Sequence, residues 1–117
     1  MGTAAAAPLA GVRVVELGQV LAGPFAGAIL ADLGAEVVKV ERIEGGDDAR
    51  RMGPAFRHDD ALVFQIFNRG KRSVALDLRS DAGRASLQQL LAQADVCIHN
   101  LRPDVPRALG IDGPTLC

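Results

Sequence analysis

A chain of 117 residues is one domain at most, and if complete it can bury roughly two thirds of its unfolded surface. Its composition, 49% hydrophobic and 23% charged, is that of a globular protein. With 13 Lys plus Arg against 14 Asp plus Glu, the net charge of −1 gives no general attraction to nucleic acid or an anionic membrane, so any anion site must be a local cluster.

Residues 1–10 read as a flexible N-terminal tail. MGTAAAAPLAG is small and apolar but lacks the basic start and sustained run of large residues of a signal peptide. Ala6 stands where a myristoylation signal needs Ser or Thr. Residues 11–117 read as one α/β unit. Val12 to Leu17 form a first strand, Gly18 breaks it, and Gln19 to Gly23 form a loop. Pro24 suits the first turn of a helix. Phe25, Ile29 and Leu33 recur at helical spacing with Ala22, Ala26 and Leu30 beside them, which predicts an apolar stripe packed on a sheet. Gly34 is placed to close that helix. Val37, Val38 and Val40 form a second strand, and Arg42 follows its carboxyl end. A strand, crossover helix and strand imply parallel pairing.

The Gly-, Asp- and Arg-rich stretch after Arg42 reads as a surface excursion, with one helical turn over Asp47 to Met52. Asp60 can cap a short helix from Ala61 to Phe67, although a strand is possible there. The phenylalanines between Phe56 and Phe67 suggest core or the wall of a pocket. Ser73 to Leu78 alternates as a third strand. Ser80 caps a second crossover helix over Asp81 to Gln93, Asp95 to His99 forms a fourth strand, and Pro103 to Leu109 forms a short helix ended by Gly110. Gly113 to Cys117 looks like the start of another element that stops before forming, which suggests a truncated chain. The expected fold is a Rossmann-like open, mainly parallel sheet with crossover helices.

No apolar run approaches the ~20 residues that span a bilayer. Cys97 and Cys117 make neither a disulfide framework nor a metal spacing, which suits a reduced, cytoplasmic setting. Ligands of open parallel sheets bind outside the carboxyl ends of the strands. That rule selects Gln19 to Gly23, Arg42, and Asn100 to Arg102, while the basic run Asn68 to Arg72 precedes its strand and falls at the opposite end unless the long loop folds back. Arg42 and Lys71 suit phosphate or carboxylate. GQVLAGP is not GxGxxG and no GxxxxGK[ST] occurs, so the usual nucleotide phosphate loops are unsupported. His58 and His99, the pairs Asp47-Asp48 and Asp59-Asp60, and Ser73 and Ser86 form no complete catalytic set.

Three separated motifs carry a resemblance. LAGVRVVELGQVLAGPFAGAILADLGAEVVKVER, NRGKRSVALDL, and ADVCIHNLRP with a following LGI together resemble the N-terminal part of family III CoA transferases, the CaiB/BaiF family, which includes α-methylacyl-CoA racemases. The resemblance implies a larger two-domain fold with two chains interlocked like links as a homodimer, acting on acyl-CoA and a carboxylic acid without a metal. It implies an aspartate carboxylate that attacks the thioester and lies beyond the matched region, so no residue here takes that catalytic role. The CoA contacts implied fall on Leu21, Ala22, Arg42, Asn68, Arg69, Gly70, Lys71, Asn100, Leu101 and Arg102. Where some transferases carry a glutamine next to the alanine of the first loop, this chain has Leu21, which counts against formyl-CoA transferase chemistry. The family's basic residue eight positions past the asparagine falls on Ala108, with Arg107 one place early. An N-terminal transferase portion is thus the leading expectation. A racemase portion and a non-catalytic module that binds CoA or a partner chain are the alternatives, and a flavodoxin-like nucleotide binder loses on motifs.

Overall fold

The computed structural model describes residues 7–117, so the first six positions of the expected tail lie outside the described residues. Leu9, also placed in that tail, is docked: its N–H donates to Leu33 O at 2.9 Å and its side chain packs against the cluster of Val14, Ala35 and Val37.

Four parallel strands form the sheet: β1 (Arg13–Glu16), β2 (Glu36–Glu41), β5 (Lys71–Ala75) and β6 (Val96–Ile98), in the order β5-β2-β1-β6. The expected α/β class holds. β1 lies between β2 and β6, with Val14 opposite Val37 on one side and Val96 on the other. Helix α1 (Ala22–Asp32) covers one face, over Val14 and Val37. Helices α3 (Asp81–Ala92) and α4 (Asp104–Leu109) cover the other, where Val15, Leu17, Val40, Leu87 and Ile111 form the larger core. Alternation along β1 sends Val14 and Val15 to opposite layers, as a sheet covered on both faces requires. Ser80 caps α3 as its sequence predicts, its side chain accepting from Gly83 N at 2.9 Å.

Helix α1 differs from its expected packing. Phe25, Ile29 and Leu33 are 46%, 41% and 40% exposed, while Gly23, Pro24, Gly27 and Ala28 are buried against the sheet. The helical period is as read, but the buried face is the small one, because Glu16 rises from the sheet under Gly27 and leaves no room for a larger side chain. Gly34, at φ 103, ends the helix: its N–H donates to Ala31 O and that of Ala35 to Leu30 O, both at 3.0 Å, a Schellman closure that needs a residue at ease in the left-handed region.

Beyond β2, a 3₁₀ turn (Asp48–Arg51) follows, and then the short antiparallel pair β3 (Phe56–Arg57) and β4 (Asp60–Ala61). His58 and Asp59 are the turn between them, at φ 53 and 67, as a tight hairpin demands. Helix α2 (Leu62–Phe67) follows without a side-chain cap; Asp60 pairs with Arg50 instead, at 3.0 Å. Phe64 lies under the Arg50 guanidinium, 3.9 Å from ring centroid to Cζ, and Phe67 meets Phe25 edge-on at 5.5 Å. The third main strand starts at Lys71 rather than Ser73 and stops at Ala75, because its partner β2 ends at Glu41, opposite Ala75. Leu76 and Leu78 fold onto the larger core instead. Gly113–Leu116 completes a helical turn, α5. No helix among the described residues is long and apolar enough to cross a membrane.

Candidate functional site

The order of the strands reverses between β1 and β6, and the crevice at such a reversal, beyond the carboxyl ends, is where open α/β sheets take ligands. Two loops meet there. Leu17 N donates to Ile98 O at 2.8 Å, and beyond that bond Asn100 clamps the first loop, its Oδ1 accepting from Gln19 N at 2.9 Å and its Nδ2 donating to Gln19 O at 2.8 Å. Gly18 and Gly23 let the loop close on itself: a Cβ on either would lie 2.9 Å from the other's Cα. Leu21 and Ala22 are exposed at the loop's tip. Since Pro24 has no N–H and Phe25 N is bonded to Leu21 O at 2.7 Å, the open donors of the first helical turn are the amides of Ala22 and Gly23.

Below this loop lies a group of charges that sequence reasoning missed. Glu16, Lys39, Glu41 and Asp47 are 0%, 1%, 6% and 1% exposed. Lys39 Nζ sits between Glu16 Oε2 at 2.8 Å and Asp47 Oδ2 at 2.9 Å and donates to Gly18 O at 3.0 Å. Lys71 Nζ is 2.6 Å from Glu16 Oε1 and donates to Pro24 O, Phe67 O and Asn68 Oδ1 at 2.8, 3.0 and 2.9 Å. Glu16 and Asp47 balance Lys39 and Lys71, and Arg50 pairs with Glu41 at 2.7 Å, as buried charge requires. The signal was present: Glu16 follows Val14, and Lys39 and Glu41 follow Val37, on the same face of strands buried on both sides. A charge at such a position must find a partner.

Burial pushes the Lys71 ammonium pKa down, against the pull of Glu16. Burial also pushes the Glu41 carboxyl up, but hydrogen bonds from Arg50, Ser73 and the Asp47 N–H outweigh it and hold the group at about 2. Glu41 is therefore a poor base at neutral pH, and its hydrogen bond from Ser73 Oγ is not a nucleophile and base pair. It also stands where the acidic residue after the second strand of a dinucleotide fold takes a ribose hydroxyl, yet Arg50 occupies both of its oxygens, at 2.8 and 2.7 Å. His58 and His99 are exposed, and His99 Nδ1 accepts from Leu101 N at 3.3 Å. Among the described residues, neither histidine nor Glu41 forms a nucleophile and base pair.

The other expected contacts divide by position. Arg42 lies at the carboxyl edge beside a groove of about 540 Å³ lined by Ile43, Glu44, Leu76, Asp77, Leu78 and Arg79. It donates to Gly46 O at 2.9 Å and pairs with Asp48 at the surface. Asn100, Leu101 and Arg102 follow β6 at the same edge, with Arg102 exposed and Leu101 packed on the larger core. The backbone of Asn68, Arg69 and Gly70 stays at the amino end of β5, and the loop does not fold back. Arg69 pairs with Asp32 at 2.6 Å, Asn68 donates to Phe64 O at 2.8 Å, and Lys71 alone sends its side chain under α1 toward the loop.

Residues 9–117 match the family described as CoA-transferase family III. The chain is 46% identical over 115 residues to the succinate–glutarate CoA-transferase of Agrobacterium fabrum, covering 93% of this chain and 29% of that protein. It is 44% identical over 110 residues to the succinyl-CoA–L-malate CoA-transferase alpha subunit of Chloroflexus aurantiacus, covering 93% and 26%. The crystal structure of a CAIB/BAIF family protein from Brucella suis superposes with a TM-score of 0.87 at 43% identity, covering 96% of this chain and 30% of that one. The chain thus spans under a third of the length of the relatives it matches, and it belongs to CoA-transferase family III.

Proposed function

We propose that this chain is the N-terminal, CoA-binding portion of a CoA transferase that moves CoA between an acyl-CoA and a carboxylic acid. The observation that carries the reading is the clamped loop at the strand reversal, with the Arg42 groove beside it on the same sheet edge. The groove suits the nucleotide end of CoA. Arg42 and Arg79 bring guanidinium groups for phosphate, and Leu76 and Leu78 bring aliphatic walls for a base. The exposed Arg42–Asp48 pair is worth about 1 kcal/mol or less, so a phosphate can displace it. The exposed tip at Leu21 and Ala22 receives the thioester end, where the Ala22 and Gly23 amides favour a polarised carbonyl oxygen.

In this reading Asn100, Leu101 and Arg102 complete the carboxyl-edge contacts. Asn68, Arg69, Gly70 and Lys71 serve from below, with Lys71 fixing Pro24 and Asn68. The reacting carboxylate is an aspartate outside these residues. It attacks the acyl carbonyl and expels CoA thiolate, the thiolate attacks the resulting anhydride at the aspartyl carbonyl and releases the donor acid, and the aspartyl-CoA thioester then passes CoA to the acceptor carboxylate. Transferase is favoured over racemase by the relatives named above, which are CoA-transferases. An interlocked homodimer in the cytoplasm completes the proposal.

Calorimetric titration of the chain with CoA tests it. Saturable binding that weakens about tenfold in Arg42→Ala, as loss of a charge-assisted contact implies, supports the reading. No binding, or binding that Arg42→Ala leaves unchanged, overturns it.

A further inference from the structure

Val20 has φ 66, a left-handed conformation that a β-branched residue adopts only where its surroundings over-determine it. Here they do. Asp47 Oδ1 accepts from Val20 N at 3.0 Å and from Ala49 N at 2.9 Å. The other Asp47 oxygen is held by Lys39, which also donates to Gly18 O. Glu16 joins Lys39 to Lys71, and Lys71 fixes Pro24 O. Asn100 takes both polar groups of the Gln19 backbone. Peptide groups on both sides of Leu21 and Ala22 are thus held by side chains from four other segments, three of them through one buried chain of charges.

We propose that Asp47 is a positioning residue that, through this chain of charges, holds Val20 left-handed and so sets the Leu21 and Ala22 turn for the thioester end of an acyl-CoA. The ligand half of the statement rests on the CoA reading above. The turn half stands on the geometry alone. A buried network of ion pairs of this kind keeps a loop in one conformation before ligand arrives, and a binding site gains affinity by not having to order itself.

The test uses amide hydrogen exchange and CoA titration on the chain and on Asp47→Ala, Val20→Gly, and the two combined. In Asp47→Ala, exchange at Val20 through Gly23 is expected to accelerate about tenfold more than at the β1 and β2 amides, which report overall stability. CoA binding is expected to weaken about tenfold, and Val20→Gly in that background is expected to recover several-fold of it, since glycine takes positive φ without strain. Equal acceleration in loop and sheet overturns the turn half. A loss of affinity that Val20→Gly does not relieve overturns the ligand half. Absence of CoA binding by the unmodified chain overturns the CoA reading and the ligand half together, while the exchange data judge the turn independently. If Asp47→Ala does not fold, Val20→Gly alone decides: a melting temperature above that of the unmodified chain supports stored strain at Val20, and one at or below it overturns the proposal.

Discussion

Lys39→Met removes the cation at the centre of the buried charges while keeping nearly the same side-chain volume. Lys39 Nζ serves Glu16 at 2.8 Å, Asp47 at 2.9 Å and Gly18 O at 3.0 Å, and both carboxylate side chains are 0% exposed. Glu16 keeps Lys71, but Asp47 is left as a buried anion without its cation. Breaking one side of such a pair costs about 3–5 kcal/mol, against a total of roughly 5–15 kcal/mol for a domain of this size. Because methionine fills the space of the lysine stem, the loss is electrostatic rather than a cavity. Urea unfolding at pH 7, followed by far-ultraviolet circular dichroism, measures it. Adding Asp47→Asn to Lys39→Met restores neutrality, keeps an acceptor for Val20 N, and is expected to recover more than half of the loss. A Lys39→Met penalty under about 1 kcal/mol, or strictly additive effects of the two substitutions, would refute the argument.

Three further outcomes follow from the same geometry. Gly27→Ala should destabilise the chain by about 1–2 kcal/mol by thermal melting. Its Cβ would run into Glu16 Oε1 and lie 3.1 Å from Lys71 Cε, an overpacking cost of roughly 1–3 kcal/mol that exceeds the roughly 1 kcal/mol alanine gains in a helix; a more stable variant contradicts this. Glu41, held at about 2 from an ordinary 4.5, contributes on the order of 3 kcal/mol that is fully present above pH 4.5 and lost as pH falls toward 2. Glu41→Gln should flatten that part of the acid-unfolding profile, and an unchanged profile counts against it. Burial raises the Cys97 thiol pKa whereas Cys117 is exposed, so iodoacetamide at pH 8 should modify Cys117 first and Cys97 chiefly after unfolding; equal rates contradict the placement.

The main elements were legible where local chemistry sets them: the Ser80 cap, the Gly34 closure, and the valine runs of β1 and β2. The strand order was implied only as far as crossover units imply it, and the reversal beside β6 needed three-dimensional pairing. Helix α1 shows where reading by residue size fails. Phe25, Ile29 and Leu33 mark the period correctly, but the close seat of the helix over Glu16 selects glycine and alanine for the inner face. Asp47 shows a second limit, since a residue in a Gly- and Asp-rich stretch gives no sign that its loop turns inward to meet Lys39, 8 positions earlier in the chain. The place of Arg42 and Asn100 at the carboxyl edge was legible because the carboxyl-edge rule depends on strand direction alone. Lys71 was singled out by composition and resemblance, while its inward course under α1 is a matter of packing.

The claim that matters most is the ligand at the carboxyl edge. Amide chemical-shift mapping of the ¹⁵N-labelled chain with CoA tests it directly. The account predicts shifts concentrated at Gly18 to Gly23, Arg42 to Glu44, Leu76 to Arg79 and Asn100 to Arg102, with the amino ends of β1 and β2 silent. Shifts confined to the α1 stripe, to the β6 edge or to the amino ends of the strands would contradict it.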